Sequence, residues 1–283
     1  MERSAKVSRR IIPRLDIKGP NLVKGIHLEG LRVLGDPQSF ARYYYDNGAD
    51  ELVYMDVVAS LYNRNSLHDI ISRTAKDIFI PLAVGGGLRS IDDMRAVLRS
   101  GADKIVINTA AVKDPEIIRK AANSFGSSTV VVSIEAKKIG EDIYEAYIDN
   151  GREKTGIEVF AWAQRVAELG AGEIMVTSID QEGTGKGFDL VLVEKISRKV
   201  SIPVIACGGA GSKEDVRRVL SEAGADAVCI ASMFHYHFLK ENKAGLGKDN
   251  GSPFSIGEFS RVQDITIGEL KEYLSLSEIE CRI

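Results

Sequence analysis

Hydrophobic residues along this chain gather into short, nearly unbroken runs: IIPRLDI from Ile11, ELVYMDVV from Glu51, IPLAVGGG from Ile80, DKIVINT from Asp103, STVVVSIEA from Ser128, EIMVTSID from Glu173, IPVIACGGA from Ile202 and DAVCIAS from Asp226. Runs of this length, rich in Val and Ile and without polar alternation, suit strands buried on both faces, as in a parallel sheet covered by helices. Between them lie segments such as SIDDMRAVLRSGA, DPEIIRKAANSFG, EVFAWAQRVAELGA and SKEDVRRVLSEAGA, each opening on a capping or acidic residue and stopping at glycine. Eight strands alternating with helices predict a (β/α)8 barrel, a single domain over residues 1–283.

The chain repeats itself. IPLAVGGGLRSIDDMRAVLRSGADKIVINTA from Ile80 and IPVIACGGAGSKEDVRRVLSEAGADAVCIAS from Ile202 align through strand, glycine turn, helix and next strand with one single-residue shift. In the same frame RLDIK from Arg14 pairs with SIEAK from Ser133, and MDVVAS from Met55 with TSIDQEG from Thr177. The barrel is therefore two half-barrels, with Asp16 and Glu135 as counterparts across a pseudo-twofold axis. Two segments break the pattern. YEAYIDNGREKT from Tyr144 carries a turn signal between apolar flanks and predicts a hairpin after the fifth strand. The polar, glycine-bearing stretch from His237 to Asp264 predicts a long loop after the eighth strand, before a last helix ITIGELKEYLSL. His235 and His237 read as caps for that last helix.

Composition narrows the class. Apolar residues at 44% and charged ones at 27% give ample core for a globular domain, and a net charge of -3 gives no strong pull on nucleic acid or anionic membrane. Three cysteines in no paired spacing suggest neither a disulfide framework nor a zinc site, and the four histidines show no ligand spacing. No apolar run reaches membrane-spanning length and the basic N-terminus lacks a signal peptide's apolar body, so a cytoplasmic protein without metal or cofactor is expected.

Candidate chemistry lies where strands end. Carboxylates at the C-terminal ends of barrel strands face the loops that bind substrate, so Asp16 and Glu135 could flank one small molecule as base and acid; the alternative is a buried salt bridge from each to Lys18 or Lys137. Glycine turns at Gly86, Gly87 and at Gly208, Gly209 let backbone N–H groups approach an anion, with Asn108, Thr109 and Ala231, Ser232 as closing partners. Two such cradles imply a ligand with a phosphate at each end. Asp56 and Asp180, with Thr177, Ser178, Gly183 and Thr184 nearby, read as ligand-orienting or as structural. Lys24 is a candidate for holding the first loop or the ligand's middle. At the strand beginnings Arg10, Glu51, Lys104 and Glu173 could ring the barrel floor, a stabilising plug on composition alone.

Taken together, RIIPRLDIKGPNLVKG, DELVYMDVVAS, VGGGLRS, GADKIVINTAAV, GAGEIMVTSIDQEGTGKGFD, CGGAG and GADAVCIASMFH resemble the cyclase (synthase) subunit family of imidazole glycerol phosphate synthase over nearly the whole chain. The resemblance implies a barrel that takes ammonia from a partner glutaminase, in a heterodimer. The ammonia is joined to a bis-phosphate ribulosyl aminoimidazole carboxamide, giving imidazole glycerol phosphate and an aminoimidazole carboxamide ribotide. It makes Asp16 the general base and the fifth-strand acid the general acid. That acid is aspartate in the family and Glu135 here, one methylene or about 1.5 Å longer. The charged ring then matches the family's ammonia gate. Three other readings stay open at this stage: a related branch that passes ammonia to a surface-polysaccharide sugar, an inactive scaffold that activates a glutaminase, and the sugar isomerase sharing the half-barrel design, which needs no gate.

Overall fold

Two helices open on the same device. Ser90 accepts the N–H of Asp93 while Asp93 accepts that of Ser90, and Ser212 and Asp215 do the same 122 positions later, so the repeated sequence caps both repeated helices identically. A computed structural model describes residues 8–59, 67–242 and 262–282. Within them eight parallel strands close on one another: β1 (Arg10–Lys18), β4 (Leu52–Asp56), β5 (Leu82–Gly85), β6 (Lys104–Ile107), β7 (Val130–Gly140), β10 (Glu173–Ser178), β11 (Val204–Cys207) and β12 (Ala227–Ile230). β7 pairs with β10, and β12 with β1, which shuts the barrel. Helices α1 (Pro37–Asp46), α2 (His68–Asp77), α3 (Ile91–Arg99), α4 (Thr109–Lys113), α5 (Glu116–Phe125), α6 (Val159–Glu168), α7 (Leu190–Lys199), α8 (Lys213–Ser221) and α9 (Ser232–Glu241) follow the strands, with α10 (Ile267–Leu276) last. This is the (β/α)8 barrel expected from the apolar runs.

The period-two alternation of a strand sorts side chains into two cores. Ile11, Leu15 and Ile17 of β1 point outward to the helices, whereas Ile12 joins Val53, Ala83, Val106, Val131, Met175, Ile205 and Ala227 inside the barrel. The same parity puts Arg10, Arg14 and Asp16, and on the facing strand Ser133 and Glu135, on the inner side.

After β1 the chain turns back as β2 (Asn21–Ile26) and β3 (Glu29–Gly35), and after β7 as β8 (Ile143–Ile148) and β9 (Glu153–Glu158). The second hairpin is the one expected from the DNG turn; the first is its pseudo-twofold mate and was not signalled by turn residues. The expected loop from His237 needs correction, because α9 runs through Glu241; residues 243–261 of that stretch lie outside the described ones. His235 and His237 likewise do not cap the last helix, whose N-cap is Thr266. His235 is buried inside α9 against the Tyr44 hydroxyl, and burial pulls it down to about 3. His237 bonds Asp264.

The C-terminal segment is tied under the barrel. Lys271 of α10 donates to Asp50 at 2.7 Å and to the Arg282 carbonyl at 2.6 Å, while Asp50 also accepts the Ile11 N–H at 2.7 Å. Both side chains of the ion pair are almost fully buried. Asp50→Ala is therefore expected to destabilise the fold by roughly 3–5 kcal/mol, since it strands a buried ammonium. Arg42→Ala, which breaks an exposed, solvent-screened pair with Asp46, should leave stability close to that of the wild type. Urea unfolding midpoints of the two variants check the contrast.

Candidate active site

The inner ends of β1 and β7 bring two acids into one electrostatic neighbourhood. Asp16 is 4% exposed and its Oδ1 accepts the Arg14 Nε–H at 2.8 Å. Glu135 is 6% exposed and its Oε2 accepts the Gly151 N–H at 2.8 Å, from the turn of the β8–β9 hairpin. Neither pairs with the neighbouring lysine considered above: Lys18 is exposed, and Lys137 lies over the Tyr147 ring. Burial pushes the Glu135 carboxyl up to about 7, Asp16 and Asp149 adding to the rise while Arg14 and the Gly151 N–H hold it back. A carboxyl that keeps its proton near neutral pH can act as an acid, and a carboxylate with one oxygen engaged by a guanidinium offers the other as a base.

Three residues that sequence patterning did not single out complete this layer. Arg14, its side chain 3% exposed, also reaches Thr177 Oγ1 and Cys207 Sγ, each at 3.4 Å. Glu182 forms a buried ion pair with Lys24, so Lys24 is tied to the loop after β10 across 158 positions of sequence. Gly151 supplies the N–H to Glu135. Arg14 was legible only as the start of RLDIK, and Glu182 only through the motif frame that contains it.

Around one flank, Gly183, Gly208, Gly209, Ala231 and Ser232 line a common cavity with Arg14 at its floor. Gly208 and Gly209 sit at φ +89° and +105°, and a Cβ on Gly209 would lie 2.1 Å from the Gly187 carbonyl oxygen, so this turn needs glycine for its own packing whatever it binds. On the other flank Gly86 and Gly87 have φ of +97° and +70°, with Gly86 packed against the end of β4 at Asp56. Asn108 donates to the Tyr147 carbonyl at 3.2 Å and Thr109 to Asp149 at 3.4 Å, so both are engaged by the β8–β9 hairpin. Asp56 is buried and accepts the Val58 N–H. Asp180 lies beyond the end of β10, exposed, where it accepts the Lys138 N–H at 2.8 Å. Thr184 donates within its own turn, to the Gln181 carbonyl. Ser178 is buried with its hydroxyl unpartnered among the described residues.

At the opposite end of the strands the four charges meet. Arg10 lies 2.8 Å from Glu51 and 3.1 Å from Glu173, and Lys104 2.9 Å and 3.3 Å from the same two. They form a closed ring of alternating sign across the barrel mouth. Burial pushes the Glu51 carboxyl up against the pull of Lys104 and Arg10.

The histidine biosynthesis protein family matches residues 10–240 of the chain. The chain belongs to this family. It is similar to the imidazole glycerol phosphate synthase subunit HisF of Legionella pneumophila, 60% identical over 206 residues that cover 73% of this chain and 97% of that protein. The subunits of the same name from Alkaliphilus metalliredigens and Methanocaldococcus jannaschii are each 48% identical, over 82% and 81% of this chain and 92% of each relative. The matched region contains both acids, both glycine turns and the charged ring.

Glu135 yields a pH prediction. Folded, it holds its proton to about 7, while an unperturbed glutamate releases it near 4.5, so its contribution to stability is full below about 4.5 and is lost as pH rises through about 7. Stability of the wild-type chain relative to Glu135→Gln is therefore expected to fall across that window and to level off above it. Denaturant titrations of both proteins at a series of pH values check this; parallel curves would contradict the burial argument.

Proposed function

We infer that this chain is the cyclase subunit of an imidazole glycerol phosphate synthase, acting in histidine biosynthesis. The observation that carries the reading is the joint placement of two inward acids at one end of the barrel and a closed charge ring at the other, in a chain 60% identical to a subunit of that name. The similarity disfavours the sugar-amidation, scaffold and isomerase alternatives.

In this reading ammonia released by a docked glutaminase enters past Arg10, Glu51, Lys104 and Glu173 and crosses the apolar interior around Ile12, Val53, Val131 and Met175. Neutral ammonia suits that passage, because moving an ammonium ion through an apolar layer carries a large desolvation penalty. Asp16 accepts the proton that the attacking nitrogen sheds. Glu135, protonated near neutral pH, gives one to the departing group. The turns at 86–87 and 208–209 hold the two phosphates of the substrate, with Asn108, Thr109, Ala231 and Ser232 beside them; Gly183 closes the second site. The buried Lys24–Glu182 pair pins the β2–β3 hairpin beside that site.

Two outcomes test this. Purified chain with ammonium salt at high pH and the bis-phosphate ribulosyl intermediate should form imidazole glycerol phosphate, and Asp16→Asn should lower that rate by roughly 10²–10⁴-fold. No product from the wild type would sink the assignment. Lys104→Met should leave the ammonium-driven rate unchanged but depress the glutamine-driven rate once a glutaminase subunit is supplied. Equal loss in both assays would remove the gate from the proposal while leaving the cyclase assignment standing.

A further inference from the structure

Beneath the cavity at Gly208 and Ala231 lie two thiols that the cyclase chemistry leaves unused. Cys207 ends β11 and Cys229 lies in β12, and the two are register partners in the parallel ladder. Both point into the barrel and both line the cavity. Neighbouring strands run about 4.8 Å apart, inside the ~4.4–6.8 Å Cα separation across which a disulfide closes. The register pairing sets the two side chains on the same inner face of adjacent strands.

Their surroundings make them unequal. The Arg14 guanidinium stands 3.4 Å from the Cys207 sulfur, and the Cys229 hydrogen bond with this nearby charge pulls the Cys207 thiol down to about 7 against its burial and the Glu182 charge. Burial pushes the Cys229 thiol up. A thiolate beside a cation with a protonated thiol paired on the neighbouring strand is the arrangement of an attacking sulfur and its resolving partner. The barrel does not require this pair, because the equivalent register pair in the first half is Gly85 and Val106. The third cysteine, Cys281, lies at the opposite end beside Arg9, where burial pushes its thiol up to about 11.

We propose that Cys207 and Cys229 form a reversible oxidation site in the floor of this cavity, with a small hydroperoxide as oxidant. The Cys207 thiolate attacks the terminal peroxide oxygen, the O–O bond breaks, and the displaced oxygen leaves as water or alcohol after taking a proton. Cys207 is now a sulfenic acid. The Cys229 sulfur then attacks the sulfenic sulfur, its proton leaves with the hydroxyl as water, and a disulfide joins β11 to β12. The peroxide gains the two electrons that the two sulfurs lose.

The test uses the full wild-type chain with hydrogen peroxide near stoichiometry. Thiol titration after denaturation should fall from three to one, non-reducing peptide mapping should find Cys207 joined to Cys229, and dithiothreitol should restore all three. Cys229→Ser should stop at a sulfenic acid on Cys207 that dimedone traps, and Cys281→Ser should behave as wild type. Survival of all three thiols, or a bridge that contains Cys281, would overturn the proposal. The mapping on wild-type protein decides the matter even where a cysteine variant folds poorly, and none of these readouts depends on turnover.

Discussion

The Arg14–Asp16 ion pair is the contact on which the upper half of the barrel depends. A guanidinium sealed inside a parallel barrel would carry a desolvation penalty of several kcal/mol if it stood alone. Asp16 offsets that penalty, and Thr177 and Cys207 take part of the remaining donor capacity. The layer holds a second buried cation, Lys24, which is matched by Glu182. That leaves Glu135 as the carboxyl without a cation of its own. Its raised affinity for a proton follows from this count: with two cations already claimed, the third acid is cheaper to bury neutral than charged.

The same economy of charge shapes the other end. Arg10 and Lys104 each reach both Glu51 and Glu173, so no member of the ring has a single partner. A shared network holds four long side chains across the mouth more firmly than two separate pairs would, because displacing one charge leaves the others still paired. Between the two charged layers the interior is wholly apolar in the belt from Ile12 to Ile205. Charge at both ends and none between gives the barrel a polarity along its axis.

How much of this was legible from residue order varies with the range of the interaction. The eight strands could be read because burial on both faces makes apolar runs continuous, and the half-barrel repeat was visible because its glycines and capping serines recur in phase. The β8–β9 hairpin announced itself through its DNG turn. Its mate, β2–β3, turns at His27 and Leu28, which take φ of +51° and +63° without glycine, so no residue type marked it. The four ring charges could be placed by their position at strand starts. The Lys24–Glu182 pair could not, since its members are 158 positions apart and only closure of the barrel brings them together. Asp180 was expected at a strand end, but β10 ends at Ser178, so it lies two residues past it and accepts the Lys138 N–H.

The two halves of the chain are alike enough that Asp16 and Glu135 occupy equivalent places, each followed by a hairpin that folds back on its strand. Symmetric acids would compete for the same role. The repeat breaks that symmetry two residues earlier, where Arg14 in the first half stands opposite Ser133 in the second. One acid thereby receives a guanidinium, and the other receives a backbone N–H and burial. The unlike residues at that position of the repeat thus give the two acids different partners on the same backbone frame.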